Sequence, residues 1–236
     1  MSAGLLAETD SYRSLLRDLT SVMVRDINAE FRRVDHLDQD TQQRWISAAY
    51  PQVWTPHAAM AADLAKDWYR ASAPEIAYSA IEVALPKPET VAGQVVWAFG
   101  QRAIRHALLG AAQRDMWAAF RRTVAANAER ETGARWARHA SANACRWCQM
   151  LATRGPVYAS KTAAVKDSGS AGLWKEDYHR KCHCVAVPVR PGRVYEPPPY
   201  VQDWTADYER AVALAGGART AKAVMAAYRQ MDNETS

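Results

Sequence analysis

The chain has 236 residues, 49% of them hydrophobic and nine of them Trp, and 30 basic against 25 acidic side chains give a net charge of +5. That length and apolar content suffice for one large domain or two small ones with real cores, and they exclude a disordered chain. The basic excess is mild and scattered, as on a solvated surface, and no apolar run reaches the roughly 18 residues that cross a bilayer. The N-terminal stretch "MSAGLLAETDSYRSLLRDL" is broken by charges and lacks the apolar core of a secretory signal. Folding is therefore expected in the cytoplasm, where cysteines stay reduced.

The first half reads as helices. From Tyr12 onward, Leu15, Leu16, Leu19, Val22, Met23, Ile27 and Phe31 recur at helical spacing. "DQDTQQRWISAAY" predicts a shorter helix that stops before Pro51. A third helix is expected over "TPHAAMAADLAKDWYRAS", with Thr55 as N-cap and Pro56 in the first turn. In "SAPEIAYSAIEVAL", Ser72 and Glu75 have capping-box spacing and Pro74 suits an early helical position, so a fourth helix is expected there. Pro86 and Pro88 punctuate the chain, and Thr90 to Glu131 is helical again, as one segment or two. Trp45, Trp54, Trp68, Trp97 and Trp117 fall on these helices as core or interface anchors.

The texture changes near Thr132. "GARWARHAS" reads as a short strand with Trp136 on one face, and "CHCVAVPVRPGRV" as an alternating β-like run. Between them lie two cysteine clusters and a Gly/Ser-rich loop, "KDSGSAGLW". A module this small and loop-rich calls for a staple. "RPGRVYEPPPYVQDW" is expected as an extended connector, and two Ala-rich helices split by Gly216-Gly217 close the chain. The expected fold class is α+β and mostly α-helical: a helical region over 1–131, a Cys/His zinc-knuckle-like module with short strands over 132–190, and a Pro-rich linker with a helical tail over 191–236.

All four cysteines sit in the module, in "ANACRWCQM" and "YHRKCHC". Cys145 and Cys148 have the spacing that points two thiolates into one tetrahedral site from a turn. Cys182 and Cys184 share a face of an extended backbone, with His183 turned away, and His179 adds a nitrogen three positions earlier. The preferred ligands are Cys145 and Cys148 with two or three of His179, Cys182 and Cys184, holding a closed structural zinc. Buried inert thiols, a disulfide such as Cys148 to Cys182, and thiol redox chemistry are the alternatives. A zinc deaminase is excluded, because HxE followed by PCxxC is absent.

"SANACRWCQMLATRGPVYASKTAA" followed by "YHRKCHCVAVPV" resembles the C-terminal signature of Mu-F-like minor head proteins of tailed bacteriophages. More narrowly it is similar to an actinobacteriophage group often labelled capsid maturation protease. The matching elements are N-A-C-x-x-C, L-A-x-R-G-P-V-Y, H-x-x-C-x-C and V-P-V, over about 135–189. The resemblance implies a structural head protein made beside the portal, acting in capsid assembly or DNA packaging. It implies a place in the virion, inside the capsid, after assembly in the host cytoplasm. Its implied partners are portal and major capsid or scaffold proteins, with packaged DNA as a nonspecific contact and no membrane.

The group's label raises proteolysis as the alternative function. Ser141, His139, Ser160, Lys161, Asp177 and His183 lie in or near the module, but no spacing among them is diagnostic, and GxSxG and HExxH are both missing. No catalytic residue is assigned, and the residues favour a structural protein. "PPPY" at 197–200 is read as a stiff linker rather than a WW-domain ligand, and "NET" at 233–235 is a sequon only in a secreted chain.

Overall fold

The computed structural model describes residues 2–156 and 183–234, with side chains from residue 8 onward. Its elements are α1 (Ser2–Val34), α2 (Gln39–Ala71), α3 (Pro88–Phe99), α4 (Ile104–Arg130), β1 (Arg135–His139), α5 (Arg146–Ala152), β2 (Val185–Val189), α6 (Tyr200–Leu214) and α7 (Ala221–Glu234). The described residues are thus mostly helical with one small two-stranded sheet. No described helix is long and apolar enough to cross a membrane.

One helix of 33 residues, α2, spans the stretch expected to hold two. Its N-terminus is Asp38, whose carboxylate accepts the Thr41 amide at 2.9 Å; that bond holds the Asp38 carboxyl below its usual range. Pro51 and Pro56 lie inside the helix, and Thr55 caps nothing. Each internal proline costs about 3 kcal/mol. Ile46, Tyr50, Trp54, Ala58, Ala61, Ala62, Ala65 and Trp68 form one face on both sides of the prolines and are all 0–1% exposed. Burying each large apolar side chain returns about 1.5–3 kcal/mol, so packing keeps the helix continuous where local propensity would break it.

The second departure is at 72–87, which is not helical: 72–76 form turns, and 77–87 run on without helix or turn. Tyr78, Ala80, Val83 and Leu85 pack on the core, a mostly two-residue alternation that the capping-box reading overlooked. Helix α4 supplies the partners that strand neighbours would otherwise give. The Asn127 Oδ1 accepts the Ile81 amide at 2.8 Å, its Nδ2 donates to the Ile81 carbonyl at 2.8 Å, and Thr123 Oγ1 accepts the Val83 amide at 3.1 Å. These bonds to α4 satisfy the backbone at Ile81 and Val83 where a helix would have used its own.

Helices α3 and α4 are separate, divided at residues 100–103. Helix α4 is buried nearly all round, lying against α1, α2, α3 and both strands. A buried polar chain joins it to α2 and α3: Tyr50 donates to Gln94 at 3.0 Å, Gln94 donates to Asp115, and Arg114 Nε donates to Asp115 at 2.9 Å. Strands β1 and β2 pair antiparallel, from Arg135 opposite Val189 to His139 opposite Val185. Trp136, Ala137, Val185, Ala186 and Val187 belong to the same cluster as the helical core. The 190–199 connector is anchored in that core by Tyr195.

Candidate metal centre

The β1–β2 pair brings Cys184 and the chain that leads into α5 to one end of the sheet. Extending the register past His139 and Val185 sets Ala140 opposite Cys184, and both lie in a small buried cluster with Cys148, Ala152, Val201 and Trp204. Three elements fix Cys184. Strand β2 follows it, Arg121 of α4 donates to its carbonyl at 3.3 Å, and α6 covers it. Tyr200, at the start of α6, donates to the Ala140 carbonyl at 2.7 Å and packs on Trp204 with ring centroids 4.8 Å apart.

Cys148 arrives on α5. Cys145 is the residue before the first turn and is exposed, whereas Cys148 is only 2% exposed. The two thiols of CxxC therefore occupy different environments, one at the rim and one inside. The intervening Arg146 and Trp147 lock α5 in place. Arg146 pairs with Asp207 of α6 and Asp232 of α7, each at 2.6 Å, and its guanidinium lies 5.2 Å from the Tyr228 ring centre. Trp147 packs on the cysteine cluster and on the apolar seam between α5, α6 and α7.

Cys184 is buried, while the adjacent His183 is exposed and sets its ring edge-on to Trp117 at 5.1 Å. The expected outward turn of His183 is what the structure has. No disulfide joins Cys145, Cys148 and Cys184. His179 and Cys182 lie outside the described residues, as do Ser160, Lys161 and Asp177. Among the described residues no three His, Cys, Asp or Glu side chains converge as a metal-binding group.

The donor chemistry fits zinc in the following sense. Cys148 and Cys184 come from segments 36 positions apart (184 − 148) and enter one apolar cluster. Two thiolates there would be costly without a cation. Cys145 at the start of α5, Cys182 two residues before Cys184, and His179 are the remaining candidates to complete four ligands.

The protease constellation is not assembled by its described members. Ser141 Oγ donates to Asn143 at 2.8 Å in an exposed turn. His139 is 2% exposed, and neither ring nitrogen makes a hydrogen bond. The Asp10 carboxylate is 4.0 Å from its Nε2. Burial first, and then the Arg13 charge, push His139 down to a pKa of about 4. A nucleophile and base would need hydrogen-bond reach, which this pair does not have. Sequence spacing missed Arg121, Tyr200 and the Arg146 clamp, since their partners lie about 60 or more positions away and no local motif announces them.

The family model described as VG15 protein matches residues 6–211, which takes in α2 to α5, both strands and most of α1 and α6. No curated protein and no solved structure matches the chain.

Proposed function

The chain belongs to the VG15 protein family, a family of phage proteins, and from that premise we propose that it is a minor head protein of a tailed phage. Its role is structural: it is built into the capsid near the portal and acts in head assembly or DNA packaging. The helical body binds portal and major capsid or scaffold proteins, and the cysteine region is a zinc-held local fold rather than an active centre. One observation carries the structural reading over the proteolytic one. The buried Cys148 and Cys184 share a packed cluster between three elements, whereas Ser141 and His139 are not arranged to react. In this reading zinc is held by Cys148 and Cys184 with two further donors from among Cys145, His179 and Cys182, and supplies cross-linking only.

The experiment is head assembly from co-expressed portal, major capsid protein and this chain. Cys148→Ala and Cys184→Ala are expected to abolish incorporation of the chain into heads. Ser141→Ala is expected to leave both incorporation and the mass of every head protein unchanged. If Ser141→Ala keeps incorporation but leaves a head protein uncleaved, the structural reading is wrong.

A further inference from the structure

Helix α7 has few neighbours among the described elements. Its main neighbours are α5 and α6 alone. It fills an apolar seam in which Met150 and Leu151 of α5 and Ala211 and Val212 of α6 meet Val224, Ala227 and Tyr228. The polar lock on that seam is the Arg146–Asp232 pair at 2.6 Å. A helix of 14 residues is not stable alone in water, so α7 must occupy such a groove to exist.

The joint to α6 is a glycine pair. The Gly217 amide donates to the Val212 carbonyl at 2.9 Å and the Gly216 amide to Ala213 at 3.0 Å, closing α6 with a left-handed cap. Both glycines have positive φ, 65° and 86°, and a Cβ on either would meet nothing within 4 Å. Chain direction after α6 is thus set by two residues with wide conformational freedom and no packing around them. The family match ends at residue 211, before this joint.

We infer that α7 is an exchangeable arm, and that the α5–α6 groove is a docking site for the α7 of a second copy of this chain. Opening the glycine joint and swapping arms reciprocally remakes every seam contact between copies and changes only the joint. A short linker holds α7 at an effective concentration of order mM, so the closed monomer prevails in dilute solution. Exchange becomes competitive where copies are crowded together to comparable concentration, as in an assembling shell.

Two charge-reversed full-length chains, Arg146→Asp and Asp232→Arg, test this. Each alone opposes like charges across its own groove, in the monomer and in a self-exchanged pair alike. Mixed, they match both grooves only by trading arms, so the mixture is expected to run at the mass of two chains by light scattering while each variant alone runs at the mass of one. A mixture that stays at one-chain mass overturns the inference. A second variant, lacking Gly216 and Gly217, guards against simple misfolding. With the joint removed, α6 and α7 are expected to run on as one helix, and the chain is expected to dimerise with helix content no lower than that of the wild type. A helical monomer from that variant also overturns the inference.

Discussion

Replacing Glu131 with alanine is expected to cost about 3–5 kcal/mol of stability, because it strands a buried cation. Arg190 is 2% exposed, and its Nη2 donates to Glu131 Oε1 at 2.7 Å. Its Nε lies 2.5 Å from Oε2, close enough to pair electrostatically but off the line for a hydrogen bond. The Tyr69 hydroxyl donates to Oε2 at 2.7 Å, and Arg190 Nη1 donates to the Tyr69 carbonyl at 2.8 Å. Burial, the Glu131 bond and its charge all push the Tyr69 hydroxyl well up, so it stays a donor across the accessible pH range. This knot ties the ends of α2 and α4 to the residue after β2, and one carboxylate serves both other members. Losing it leaves the guanidinium desolvated with only a carbonyl and the Tyr69 and Tyr78 rings, 4.7 and 5.4 Å away. The double change Glu131→Leu with Arg190→Met is expected to recover most of the loss, since an apolar pair of similar volume leaves no charge unpaired. Urea midpoints of the three variants check this. A Glu131→Ala loss no larger than that of the exposed Glu196→Ala would show that the knot contributes little.

The second large effect is a pH dependence carried by His139. Its imidazole has an ordinary value of 6.5 and is pushed down to about 4, first by burial, then by Arg13, with the Asp10 carboxylate pulling the other way. The folded protein therefore binds fewer protons than the unfolded chain between these values. Unfolding is favoured as pH falls through the ordinary value, and the loss saturates below the folded one. At about 1.4 kcal/mol per pH unit, the loss on going from pH 6.5 to 4 is about 3 kcal/mol. The two charges that act on the ring, Asp10 and Arg13, both come from α1. His139→Leu is expected to flatten this slope. Carboxylates and any metal ligands titrate in both chains, so the difference between the two stability curves isolates the imidazole. Parallel curves for wild type and His139→Leu would contradict the assignment.

The helical body was largely legible because its faces repeat at helical spacing, as Leu16, Met23, Ile27 and Phe31 of α1 do. Where reading failed, a distant partner had overridden a local signal. Pro51 and Pro56 are strong local stops, but the tryptophan and alanine face they interrupt is buried along its whole length. Ser72, Pro74 and Glu75 spell a helix start, yet Asn127 and Thr123, about 40 to 50 positions later, satisfy an extended backbone. No property of an isolated Asn in a helical run reveals that role. The strand pair was visible in the alternation around Trp136 and Val185, but not that β1 would be covered so completely that Arg138 and His139 are also buried. For the candidate centre, the cysteine spacing marked the segments to compare, and the fold places Cys148 of α5 and Cys184 before β2 in one buried cluster, which no local spacing announces. The exposure of Cys145 follows from its place ahead of α5, and a CxxC spacing alone does not distinguish a knuckle from a helix start.

The most direct test of the account is the zinc content of the purified full-length chain by native mass spectrometry, with a thermal melt before and after chelation. The expected result is about one zinc per chain, its loss in Cys148→Ser and Cys184→Ser, and a melting temperature that falls sharply when the metal is removed. A metal-free chain with all four thiols open to titration, and a melt indifferent to chelator, would contradict the account.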